Sequence, residues 1–255
     1  DPKLRHIHKA CVRDRVLHHA VFRILYHIFD EVFIFDSYSC RLGKGSHKAV
    51  RRFKKFAQRL SRNNSRTIFI LKCDVKKFFD SVDHKVLLAL IRSRIKDENA
   101  DWLIGKIVKS FEKRLGKGLP IGNVTSQFFA NIYLNELDRF IKHELGINYY
   151  IRYCDDFVVL NADFANLIII LEKVGRFLND RLKLSIHPDK IIVKKYTQGI
   201  DFIGYVVRSH CVTLRTKPKR RLLKRINSKN SASYMGTLKH CNGHKIEEQI
   251  GRMML

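Results

Sequence analysis

The stretch YYIRYCDDFVVL, residues 149–160, restricts most severely how this chain can fold. Two adjacent acids, Asp155 and Asp156, interrupt a run of aromatic and β-branched residues that otherwise reads as buried strand. The pattern is strand, sharp acidic turn, strand. Exposed tight turns favour Gly or Asn, and two carboxylates beside a buried hairpin repel each other. A divalent cation at the turn offsets that cost, because carboxylate oxygens are the ligands Mg²⁺ prefers. A second apolar run, TIFILKCDV at 67–75, reads as another buried strand with Asp74 near its end. Two strands ending side by side bring Asp74 near Asp155. Such carboxylates can hold two metal ions that activate a 3′-hydroxyl and stabilise a leaving phosphate in an in-line displacement. The plainer alternative is a solvated Asp-Asp turn and an unrelated strand-end Asp.

The rest of the chain supplies the layers around these strands. Val12, Val16, Ala20, Ile24 and Ile28 recur every four residues and predict a helix. Gly43 and Gly45 permit positive φ in a loop over 39–46, and a basic helix is expected from about Ser46 to Leu60. NNS at 63–65 reads as a turn. FFDSVDHKVLLALIRSRI opens on Asp and Ser capping signals and continues as helix. LPIGN, 119–123, is a Pro/Gly turn, and 125–145 carries apolar residues at the helical period. Residues 164–182 predict an amphipathic helix. LKLSIH, KIIVKKY and DFIGYVVRSH read as strands, and the tail from 217 is basic and helical. The order fits an α+β sandwich with helices on one face of the sheet.

Charge names the partner class. Fifty Lys and Arg against 24 Asp and Glu leave a formal charge of +26, which points to nucleic acid ahead of a ribosome-like or anionic-membrane surface. A hydrophobic content of 45% excludes bulk disorder. The six cysteines form no CxxC pair, so neither a zinc ribbon nor a redox dithiol is indicated, and reduced, mostly buried thiols are expected. No apolar run reaches the roughly 18 residues of a membrane span. The opening DPKLRHIHKA has no apolar signal core, so the expected location is cytoplasmic with no membrane partner.

LKCDVKKFFDSVDH, LPIGNVTSQFFANIYL, YIRYCDDFVVL, HPDK and FIGYVV stand in the order of the conserved blocks of reverse transcriptases, and nearly the whole chain is covered. Within that superfamily the sequence most resembles the reverse transcriptases of diversity-generating retroelements, through ACVRDRVLHH, DSYSCRLGKGSH and above all IGNVTSQ. Retroviral and group II intron relatives carry a Gln before the Gly of the last block; here the residue is Ile121. The resemblance implies an α+β right-hand polymerase fold with an antiparallel palm sheet backed by helices. It places fingers at 1–66, palm with an interleaved fingers segment at 67–208, and a partial thumb at 209–255. Full members have more sequence before the first block and a longer thumb, so template grip is expected to need more than this stretch.

The resemblance also assigns residues. Asp74, Asp155 and Asp156 would be the palm carboxylates, Asp156 the least direct ligand, with the backbone carbonyl of Val75 completing the shell of two Mg²⁺ ions or of Mn²⁺. Lys190 matches a late-palm lysine that protonates the departing pyrophosphate. Phe79 matches the aromatic that excludes a 2′-hydroxyl, with the core as its plainer role. Arg5, Lys9 and Arg15 lie in the triphosphate-contacting block. Gly122 lets backbone approach a base or primer, and Gly204 and Tyr205 lie in the primer-grip hairpin. Implied partners are an RNA template, a DNA or RNA primer, dNTP substrates, a small basic accessory protein and a structured retroelement RNA. The expected activity is RNA-directed DNA polymerisation, error-prone at adenines. The rivals are a retron, group II intron or phage-defence reverse transcriptase, and a non-catalytic RNA-binding scaffold with a relic palm.

Overall fold

A computed structural model describes residues 7–8, 10–227 and 229–254. Helices α1 (Val12–Asp30) and α2 (Ser46–Leu60) precede strand β1 (Phe69–Asp74). A single helical turn, α3 (Phe78–Ser81), leads to α4 (His84–Arg92), α5 (Glu98–Lys109) and α6 (Val124–Arg139), which widens into a π-helical turn over Phe140–Glu144. The hairpin β2 (Tyr150–Tyr153) and β3 (Asp156–Asn161) follows, then α7 (Phe164–Leu182) and β4 (Ile192–Lys195). The chain continues through β5 (Ile200–Phe202), β6 (Tyr205–Val207) and β7 (Val212–Leu214) into tail helices α8 (Thr216–Arg225), α9 (Ser231–Leu238) and α10 (His244–Met254).

Two antiparallel sheets result, one ordered β2-β3-β1-β4 and one ordered β5-β6-β7. Side chains alternate strictly across the larger sheet. Leu71 and Cys73 of β1 and Phe157 and Val159 of β3 join one apolar cluster, with Leu25, Leu87, Phe128 and Val174 from α1, α4, α6 and α7. Ile70, Val158 and Leu160 face the other cluster, with Phe53 and Phe56 of α2 and Phe202 of the smaller sheet. Both faces are buried, so the strands read as continuous apolar runs instead of alternating ones. The expectation of helices on one face alone therefore fails, because α2 covers the second face.

Local chemistry sets the helix starts. Asp83 accepts from the amides of Lys85 and Val86 at 3.0 and 3.2 Å, and caps α4. Asp97 and Asp163 do the same for α5 and α7, at 2.7 and 2.8 Å. The helix expected from Phe78 onward is consequently split at Val82–Asp83. Two other readings need correction. LKLSIH is not a strand; it makes one isolated antiparallel bridge, Ile186 to Val75. The thiols are free, but only Cys73 of the six is fully buried. In α1 the helix stands as expected, yet its buried face is Val21, Leu25, Tyr26 and Phe29, packed around Phe128, while Val12, Val16 and Ile24 are exposed.

The loop between α1 and α2 lies along the outer edge of β2. Ser37 bridges Arg152 in parallel sense; the Tyr38 amide donates to the Arg152 carbonyl and the Arg152 amide to the Asp36 carbonyl, each at 3.0 Å. Among the described residues no helix is long and apolar enough to cross a membrane.

Candidate active site

The register of the large sheet brings the acids together. Asp74, last residue of β1, pairs directly with Asp156, first residue of β3. Asp155 sits in the adjoining turn, and its carbonyl accepts from the Val75 amide at 3.1 Å. Cys154 turns the chain there with φ at 56°, a left-handed conformation that non-glycine residues seldom adopt. The stretch after β1 is held by the Ile186 bridge: the His187 amide donates to the Asp74 carbonyl and the Lys76 amide to the Ser185 carbonyl, both at 2.8 Å. These bonds leave the Val75 carbonyl without a backbone donor among the described residues.

Two lysines lie on the acids. Lys190 Nζ is 2.6 Å from Asp74 Oδ1, and Lys72 Nζ is 3.3 Å from Asp156 Oδ2. Lys72 also donates to the Asp201 carbonyl at 2.9 Å. Even so, the site is short of positive charge. Burial, with Asp74 adding repulsion, raises the Asp155 carboxyl. Burial likewise pushes Asp156 up to about 6, against the pull of Lys72. Asp156 Oδ1 is buried and finds no hydrogen-bond partner. An orphaned carboxylate oxygen beside two further acids is what a hard divalent cation would satisfy. Among the described residues no group of three or more His, Cys, Asp or Glu side chains is placed to hold a metal ion by itself. Mg²⁺ is commonly bound by one or two carboxylates together with substrate phosphates.

The acidic turn rests on a group that sequence reasoning missed. Arg152 is fully buried and forms a two-pronged pair with Asp138 of α6, at 2.8 Å from Nε and 2.6 Å from Nη2. Its remaining protons go to Asn131 Oδ1 at 3.2 Å, Ser37 Oγ at 3.1 Å and the Cys154 carbonyl at 3.0 Å. The last bond fixes the residue before Asp155. The available signal was an Arg inside an apolar strand, which demands a buried acid; nothing local identified Asp138.

The other expected positions scatter around this centre. Phe78 is core, while Phe79 is half-buried and edge-on to it, with ring centroids 5.4 Å apart. Ile121 is half-buried, and its carbonyl accepts from the His8 amide at 2.9 Å. Gly122 has φ of 124°, and a Cβ there would lie 3.0 Å from Ile7 Cγ2 and 3.1 Å from the His8 carbonyl oxygen. The close approach is thus made by the chain's own residues 7–8. Beside it, a cleft of about 200 Å³ is lined by Arg15, His18, His19, Gly122 and Gln127 among others. Arg5 and Lys9 lie outside the described residues. Gly204 takes φ of 82° in the β5–β6 turn, and its carbonyl accepts from the Arg215 amide at 3.0 Å. Tyr205 turns inward, 3% exposed, with its hydroxyl donating to the Thr237 carbonyl. Only the turn at Ile203–Gly204 is left to meet a ligand.

Comparison with known proteins bears on this geometry. The family described as Reverse transcriptase (RNA-dependent DNA polymerase) matches residues 1–207. Protein YkfC of Escherichia coli (strain K12) is 26% identical over 242 residues, which cover 80% of this chain and 63% of that protein. Group II intron-encoded protein LtrA of Lactococcus lactis subsp. cremoris is 24% identical over 293 residues, covering 87% of this chain and 48% of that protein. The chain thus spans well short of the full length of either relative. The structure of telomerase from Candida albicans in complex with a TWJ fragment of telomeric RNA superposes with a TM-score of 0.59 at 14% identity, covering 89% of this chain and 46% of that one. Such a likeness speaks for the fold alone, and the fold shared is the right-hand polymerase fold.

The raised Asp156 carboxyl yields a test in metal-free protein. A carboxyl with a raised folded pKa favours the protonated form, so folding loses stability as pH rises from the ordinary carboxylate range through about 6. Asp156→Asn removes that penalty. In chelator-containing buffer its melting temperature should exceed the wild type's by several degrees at about pH 7–8, since about two pKa units correspond to a few kcal/mol. The gap should close towards about pH 4. A gap independent of pH would show that Asp156 is not held above its ordinary range.

Proposed function

The chain belongs to the reverse transcriptase family, and on that premise we propose that it copies an RNA template into DNA by nucleotidyl transfer from dNTPs to a primer 3′-hydroxyl. The observation that carries this reading is the register that sets Asp74 against Asp156 with Asp155 in the adjoining turn. Asp74, Asp155, Asp156 and the Val75 carbonyl would hold two Mg²⁺ ions, with Mn²⁺ as a substitute. Bound there, the ions supply hydroxyl activation and charge stabilisation on the transferring phosphate.

The protein's own groups do the rest. Arg152 fixes the acidic turn through the Cys154 carbonyl. Lys190, whose ammonium lies beside Asp74, is the proton donor to the departing pyrophosphate. Phe79 forms the wall beneath the incoming sugar, a role that its half-exposed ring supports and that the fully buried Phe78 is not free to play. Arg15, with Arg5 and Lys9 in the same block, meets the triphosphate. The Ile203–Gly204 turn bears on the primer. Fingers, palm and thumb follow the boundaries 1–66, 67–208 and 209–255. A structured retroelement RNA and a small basic accessory protein are the partners proposed, in the cytoplasm.

Two readings of subfamily compete. IGNVTSQ favours the error-prone enzyme of a diversity-generating retroelement; the likeness to a group II intron-encoded protein favours an enzyme of that lineage. The two readings differ in what they ask of position 121. A Gln amide at this place can donate and accept near the incoming nucleotide, whereas Ile offers only apolar contact.

Primer extension on an RNA template reads all of these roles. Asp155→Ala should lower the rate by several orders of magnitude, since metal stabilisation is worth several kcal/mol and each ~1.4 kcal/mol is tenfold. Near wild-type extension would remove the metal assignment. Phe79→Ala should raise the use of rGTP relative to dGTP in kcat/KM while dGTP is still incorporated; an unchanged ratio would return Phe79 to the core. Ile121→Gln should reduce misincorporation, most at template adenines, by roughly two- to tenfold, because a net hydrogen bond contributes about 0.5–1.5 kcal/mol. Equal error spectra in the cDNA of both active enzymes would sink the retroelement reading and leave the group II one.

A further inference from the structure

The sequence contains one tryptophan, Trp102, and it is 64% exposed. It lies on α5, whose other face is well used: Ile104 and Val108 are buried in the main core. Trp102, Gly105, Lys106 and Lys109 stand at helical spacings of three, four and seven, and so share the outward face. With Arg92, Ile95 and Lys96 they line an open cleft of about 900 Å³. Lys106 Nζ stands 5.8 Å from the indole centroid.

Three observations at this cleft point to a ligand with a flat ring and a negative chain. First, Trp102 presents a broad aromatic face to water on which a flat ring can stack. Second, the charges are unbalanced. Asp101 is taken by Arg92 through bonds of 2.7 and 3.0 Å, and Glu98 is the other acid of the lining, set against Lys96, Lys106 and Lys109, which have no ion pair among the described residues. Third, Gly105 sits in the helix interior with nothing within 4 Å of where a Cβ would be. Glycine there weakens a helix relative to alanine, and no packing demand accounts for it. What it does is keep the floor beside the indole flat.

We propose that Trp102 is a stacking platform for a base of single-stranded RNA, with Lys96, Lys106 and Lys109 on the flanking phosphates. Base–aromatic stacking tolerates any sequence because every base has a π-face, and lysines track the backbone as point charges. The proposal rests on the nucleic-acid reading above and deepens it: the face belongs to α5, apart from the acidic turn, and holds strand outside the reacting position.

The single tryptophan makes the test direct. Titrate a short oligouridine into the wild type and into Asp155→Ala, exciting at the red edge where tyrosine does not absorb, and measure binding in parallel by gel retardation. Saturable quenching in both proteins is expected, weakening as salt rises. Trp102→Ala should bind about five- to tenfold more weakly by retardation, with Trp102→Phe restoring most of the affinity. Lys106→Gln with Lys109→Gln should flatten the salt dependence, and Gly105→Leu should abolish quenching while the thermal melt rises slightly, since a helix former replaces glycine at an open position. RNA retarded without quenching would overturn the platform and leave the polymerase reading standing. An emission shift that grows with protein concentration in the absence of RNA would overturn it in favour of self-association. Failure to retard RNA at all would sink both readings.

Discussion

A single buried guanidinium holds the centre of this molecule together. Removing an ion from water costs several kcal/mol, and the cost is recovered only where the partner geometry is good and every remaining proton is used. Arg152 meets both conditions. Burial works against its charge, and Asp138 beside it more than restores it. Tyr150 completes the cluster by donating to the same carboxylate at 2.6 Å. The bonds reach α6, the loop before α2 and the Cys154 carbonyl, so two stretches separate in sequence are fixed to the turn that carries Asp155. Loss of either partner would strand a charge in the core at a cost of about 3–5 kcal/mol.

Around that anchor the site is built as a charge deficit. Three carboxylates meet at or beside strand ends, and two lysines approach them without cancelling the cost of burial, which with the neighbouring acids holds Asp155 and Asp156 above the ordinary range. The deficit is local: elsewhere the chain carries a large cationic excess. A substrate that brings both phosphate and cations answers the two imbalances at once.

Much of this was legible before any coordinates. The acidic turn was readable because polar residues inside an apolar run admit few explanations. The limits of α2 and α7 were readable because basic or amphipathic periodicity starts and stops sharply there. What was not legible depended on partners distant in sequence. The face α1 buries is chosen by Phe128, more than ninety residues away, and the exposed Val12–Val16–Ile24 stripe gives no warning of it. LKLSIH has strand composition but finds only Val75 to pair with. Helix α5 is charge-rich and carries Gly105 in its interior, and β7 is only three residues long. Tyr205, which the resemblance puts forward for the primer grip, instead turns inward, and its hydroxyl donates to the carbonyl of Thr237.

The loop over Asp36–Tyr38 has a consequence for how the protein behaves in a crowded solution. An open four-stranded sheet offers two rows of unpaired amides and carbonyls, each a template on which another chain can add a strand. Here the β2 side is already taken by that loop, through its two backbone bonds to Arg152. The β4 side ends in exposed Lys194 and Lys195, whose charges repel a second copy. The most apolar strands of the chain, β1 and β3, are therefore the inner pair, sealed from edge-to-edge growth. A sheet that carries its acids at the strand ends is in this way kept from pairing edge to edge with a second copy.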